Sequence, residues 1–105
     1  MLERVANLDE LGKELPRATK DSVEVVYIIQ EHEDGNCKIG HSTQSGVKAR
    51  VRQLQSGNPR QLAIRVLLDG GAWLELALHE YFASHRLRGE WFSAEALRKW
   101  FPEVL

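Results

Sequence analysis

Cysteine occurs once, at Cys37, so no disulfide can close within the chain and an oxidising compartment gains no support. No apolar run approaches the about 18 residues that a membrane-spanning helix needs. The first twenty positions interleave Leu with Glu, Asp, Arg and Lys, which is not the basic-then-apolar order of a secretory leader. Proline is confined to Pro16, Pro59 and Pro102, which leaves long stretches free for helices and strands. A strong charge of one sign is also missing, since the net formal charge is -1. These absences point to a soluble cytoplasmic protein with no membrane partner.

What is there is one small domain's worth of chain, 105 residues with 43% hydrophobic and 28% charged. Its charge is unevenly spread. Residues 1–34 hold nine acids against four bases, a net of -5, and residues 35–105 hold ten bases against six acids, a net of +4. A cationic body behind an acidic leader suits phosphate binding better than the total suggests.

Leu2, Val5, Leu8, Leu11 and Leu15 recur at spacings of three and four, which predicts an amphipathic helix ended by Pro16. Residues 1–22 thus form a helix and a polar linker, and 23–105 the main domain. Val23–Gln30 is β-branched and nearly continuously apolar, a strand buried on both faces. Asp34-Gly35-Asn36 signals a turn, and Cys37–His41 returns as the second strand of an antiparallel hairpin. Alternation places Lys38, Gly40 and Ser42 on one face, Ile39 and His41 on the other.

A helix over Val47–Gln55 presents Val47, Val51 and Leu54 as its apolar stripe. Arg50 lies about 60° from that stripe and reaches inward, while Arg52 faces solvent. Ser56-Gly57-Asn58-Pro59 stops the helix. Leu62, Ile64, Val66 and Leu68 then alternate as a third strand whose apolar side chains share one side. A helix over Ala72–His85 buries Leu74, Ala77, Leu78 and Tyr81 and carries Glu75 and His79 one turn apart. Leu87–Phe92 is expected as a loop, after which Ser93 caps a last helix that Pro102 terminates. The fold class is α+β, a three-stranded antiparallel sheet flanked by helices in the order β-β-α-β-α-α, with an extra N-terminal helix.

Five pieces now stand in a suggestive order: Val26-Tyr27-Ile28-Ile29; Lys38-Ile39-Gly40-His41-Ser42; Arg50 with Leu54-Gln55-Ser56-Gly57-Asn58-Pro59; Glu75 with His79 and Phe82; and Arg86 with Gly89-Glu90-Trp91-Phe92. In them the chain resembles the GIY-YIG nuclease superfamily, and within it the branch of phage-type and meiotically up-regulated domains. The resemblance covers residues 23–100. It departs where Val25-Val26 replaces the first Gly-Ile, and where Lys38 stands in place of the second tyrosine of many members.

The resemblance implies a metal-dependent DNA endonuclease with Tyr27, Lys38, Arg50, Glu75 and His79 as catalytic residues. Glu75 would bind Mg²⁺ or Mn²⁺. Arg50 would offer its donor fork to the scissile phosphate. Tyr27 would act as general base or hold the attacking water, with Lys38 or Arg50 favouring its phenolate, and His79 would hold Glu75 or a phosphate. His41 is a further candidate as a proton shuttle. Lys48, Arg52, Arg60, Arg86 and Arg88 are candidate DNA contacts. So small a domain has no separate base-reading module, so specificity would come from a homodimer or another protein. Two other functions fit the residues: a non-cleaving DNA-binding module of the same fold, and a phage-type or regulatory interaction protein whose acidic leader binds a partner or covers the cationic cleft. A structural zinc site on Cys37, His41, His79 and His85 is disfavoured, because zinc ligands usually come as closely spaced pairs.

Overall fold

A computed structural model describes residues 15–32 and 35–102 of the chain. The amphipathic helix expected over Leu2–Leu15 therefore lies outside the described residues apart from Leu15, which packs against the core. Among the described residues, no helix is long and apolar enough to cross a membrane.

The centre of the fold is β1 (Glu24–Glu31), whose residues from Val25 to Gln30 are all buried. Its apolar run has no polar face to offer water, so both sides must be covered. Each fully buried isoleucine of this strand contributes about 1.5–3 kcal/mol through burial. On one edge β1 pairs antiparallel with β2 (Cys37–Thr43), in a register that sets Tyr27 opposite Gly40 and Ile28 opposite Ile39. On the other it pairs antiparallel with β3 (Leu62–Asp69).

The sheet has five strands rather than the expected three. Leu87–Phe92, expected as a loop, form with Arg86 a small hairpin of β4 (Arg86–Arg88) and β5 (Trp91–Phe92), and the strand order is β3-β1-β2-β5-β4. Gly89, at φ 57, takes the left-handed conformation inside that hairpin. β5 is short. It pairs only with Cys37 and Lys38 of β2, so Gly40–Thr43 have no strand neighbour on that side among the described residues. This notch in the sheet is where its two faces meet.

β3 departs from its expected alternation. The β1–β3 register shifts between Ile28 and Ile29. A β-bulge of this kind sends residues before and after it to opposite faces. Val66 and Leu68 accordingly join the core on one side and Leu62 the core on the other, while Ile64 stays 39% exposed. The segment expected as a free linker also partly joins the sheet, because Arg17 bridges Leu68 and the Ala18 N–H donates to the Leu67 carbonyl at 2.8 Å.

One face of the sheet is covered by α1 (Val47–Ser56), which packs Val47, Val51 and Leu54 against Val25, Tyr27 and Ile29. A 3₁₀ turn, Gln44–Gly46, leads into it, with the Gly46 N–H donating to the Thr43 hydroxyl at 3.1 Å. The following turn is held by Gln55, whose amide donates to the carbonyls of Asn58 and Arg60 and accepts from the Leu62 N–H. The opposite face is covered by α2 (Ala72–Tyr81) and α3 (Ala94–Arg98), which bury Leu74, Leu78 and Leu97 against Val26, Ile28, Ile39 and Phe92. α2 is shorter than expected, giving way to a 3₁₀ turn over Ala83–His85. Ser93 occupies the N-cap of α3 without a side-chain cap bond; its N–H donates to the His85 carbonyl at 3.1 Å instead.

Candidate functional site

Side chains from both faces gather around the notch beside Gly40. Tyr27 hangs from β1 on the α1 face and is only 2% exposed. Its ring lies directly over Gly40, since a Cβ at position 40 would meet the phenol oxygen at 2.4 Å and Cζ at 2.5 Å. A residue without a side chain is needed to seat this ring. Arg50 leaves the exposed side of α1, and its charge acts on the Tyr27 hydroxyl. Burial pushes the Tyr27 phenol above its ordinary value; the Arg50 guanidinium pulls against that rise, and the carboxylates of Glu90 and Glu75 add to it. Phenol, guanidinium and both carboxylates thus share one electrostatic neighbourhood, although they come from four separate elements or turns.

Glu75 stands in the first turn of α2. His41 reaches it from β2, donating from Nδ1 to Oε1 at 2.6 Å. Strand alternation correctly puts His41 and Ile39 on one face, and that face is the one α2 covers. His79 is buried one turn further along. Its Nε2 lies 2.9 Å from the Ile39 carbonyl and 3.8 Å from Glu75 Oε2, and its Nδ1 lies 3.3 Å from Arg86 Nη2. A carbonyl only accepts and a guanidinium only donates. Nε2 therefore donates to Ile39, Nδ1 accepts from Arg86, and both nitrogens are engaged. His79 thus ties α2 to the β2 backbone at Ile39 and to Arg86, with Glu75 Oε2 nearby.

Lys38 is engaged by an acid and an indole. Its ammonium pairs with Glu90 Oε1 at 2.7 Å and lies 5.8 Å from the centre of the Trp91 ring. Glu90 is the residue that sequence reasoning passed over, named only as a member of the Arg86 to Phe92 motif. One ligand atom from each of Glu75, His79 and Glu90 lies within 4.8 Å of the others. With the His79 nitrogens committed, the atoms able to meet a cation are carboxylate oxygens, a donor set that fits a hard divalent ion such as Mg²⁺ or Mn²⁺.

The residues expected to contact nucleic acid do not form a single patch. Lys48, Arg52, Arg60 and Arg88 are exposed. Lys48 and Arg52 ride on α1, and Arg88 lines a groove with Gln53, Asn58 and Trp91 at the C-terminal end of that helix. Arg86, on the same short strand as Arg88, turns to the other face, where it bonds His79 and lies 5.4 Å over Phe92.

A model of the T5orf172 domain matches residues 24–104. No curated protein and no solved structure matches the chain.

Proposed function

The chain belongs to the T5orf172 domain family, a GIY-YIG-related family of nuclease type, and from that premise we propose that it is a metal-dependent DNA endonuclease domain hydrolysing phosphodiester bonds with little sequence preference of its own. The observation that carries this reading is geometric: the Tyr27 ring sits on a bare Gly40, and ligand atoms of Glu75, His79 and Glu90 lie within 4.8 Å of one another.

In the reaction, water adds across the bond between phosphorus and the 3' oxygen, leaving a phosphate monoester and a hydroxyl. Tyr27, kept protonated by its burial, positions the attacking water through its hydroxyl oxygen. Arg50 directs its fork of donors at the phosphate oxygens as negative charge builds there. Glu75 holds the divalent ion, with His41 fixing Oε1 and leaving Oε2 toward the cluster. When bound, Mg²⁺ or Mn²⁺ supplies Lewis-acid stabilisation to the leaving oxygen. His79 keeps α2 and β2 in register through the Ile39 carbonyl, and Lys38 supplies a positive charge to the DNA backbone. Residues 23–105 would make up the catalytic domain, with Lys48, Arg52, Arg60 and Arg88 steering DNA to it and specificity coming from a second copy or another protein.

A nicking assay on supercoiled plasmid in Mg²⁺ and in Mn²⁺ tests the reading. Glu75→Ala and Arg50→Ala should each lower the nicking rate by about 100-fold or more, the usual loss on removing a group that stabilises the transition state. Equal nicking by all three proteins would assign the cleavage to a contaminant. The engagement of Lys38 by Glu90 supports a second reading, DNA binding without cleavage. Under it, the wild type binds plasmid and leaves it intact in both metals.

A further inference from the structure

We propose that Glu90 is a second carboxylate of the metal site whose place Lys38 holds in this structure: Glu90 exchanges the lysine ammonium for the divalent ion on Glu75, and the freed ammonium turns to the DNA phosphate. The inference rests on the nuclease reading and adds to it a ligand and an order of events.

Two carboxylates brought this close repel each other unless positive charge stands between or beside them. Glu75 has His41 on one oxygen. Among the described residues, Glu90 pairs with the Lys38 ammonium alone, at 2.7 Å. A divalent cation spanning both acids offsets two charges at once, which a single ammonium cannot do. Glu90 is also the partner with room to move, since its side chain is 40% exposed and that of Lys38 only 14%. Its backbone, by contrast, is pinned: the Ile39 N–H donates to the Glu90 carbonyl at 3.1 Å, and the left-handed Gly89 fixes the turn just before it. The carboxylate therefore swings from a fixed root beside Glu75.

The committed nitrogens of His79 sharpen the ligand's identity. A site offering one imidazole and two carboxylates would favour zinc, whereas two carboxylates alone leave most of an octahedral shell to water and phosphate, as Mg²⁺ and Mn²⁺ prefer. Lys38, on a flexible stem, is suited to the exchange, because its ammonium is a point charge with no fork geometry to satisfy. Arrival of the ion and delivery of a positive charge to the substrate then become one event.

Calorimetric titration of the full chain with Mn²⁺, without DNA, tests this. Glu75→Gln should abolish binding, Glu90→Gln should weaken it at least tenfold, and Lys38→Met should tighten it several-fold by removing the competitor for Glu90. Equal Mn²⁺ affinity in wild type and Glu90→Gln would overturn the inference while leaving Glu75 as the ligand. A Glu75→Gln protein that binds like wild type would instead overturn the metal assignment of the nuclease reading. If Glu90→Gln folds poorly, the wild type still answers: the side-chain resonances of Lys38 should shift as Mg²⁺ saturates the protein, and resonances that stay in place at saturation would refute the exchange.

Discussion

A methyl group at position 40 would press into the Tyr27 ring, and because that ring is buried it cannot swing out of the way. Gly40→Ala should therefore destabilise the protein by about 1–3 kcal/mol, the usual range for overpacking a tight site. Urea unfolding measures this, and the nicking rate should fall with it as the hydroxyl is displaced. Cys37 offers a separate test through pH. Burial pushes its thiol from 9.0 up to about 11. Because the folded value lies above the unfolded one, its stabilising contribution is whole below pH 9 and is lost as pH rises toward 11. The melting temperature should decline over that window, and less steeply in Cys37→Ala. Positions were legible in the sequence where strand or helix period decides them: Tyr27, Glu75 and His79 stand at or near the notch. The pairing of Lys38 was not legible because Glu90 is 52 positions away, and nothing in local spacing announces that pair.

Legibility at the level of elements followed length and apolar content. β1 and α1 were readable because burial on two faces, or on one stripe, writes a strong pattern into eight or ten residues. The β4–β5 hairpin was not, since three exposed residues and two partly or fully buried ones leave no period to detect. Its pairing is supplied by β2 rather than by its own propensity. The β3 alternation misled for another reason: a bulge adds a residue without changing the composition, so Leu62 and Ile64 shift faces unannounced. Gly89 is the local feature on which the hairpin depends. Gly89→Ala should lower stability by about 1 kcal/mol, because a β-carbon resists the left-handed conformation. Thermal denaturation measures that loss, and nicking should suffer more than stability alone explains, since Glu90 follows the glycine directly.

For the molecule as a whole, the relevant quantity is where the cations point. Four exposed bases, Lys48, Arg52, Arg60 and Arg88, suit a DNA backbone, while Arg86 is spent on His79 and Phe92. With about four phosphates neutralised, log K should fall against log salt with a slope of roughly −4. Fluorescence anisotropy on a labelled duplex measures it. Arg88→Ala should flatten the slope by about one, whereas Arg86→Ala should leave the slope alone and lower the melting temperature. A slope untouched by Arg88→Ala would remove β4 from the DNA-facing side. The charge split between the leader and the body was readable from composition, but composition is blind to which side of a two-residue-wide ribbon an arginine takes.

The short reach of β5 has one last consequence. A sheet usually works as a wall, keeping what happens above it from what lies below. Here the wall stops short of Gly40–Thr43 and becomes a doorway, with a tyrosine leaning in from one room and a glutamate from the other. A β5 extended along Gly40–Thr43 would close that doorway and part the two without altering the tyrosine or the glutamate.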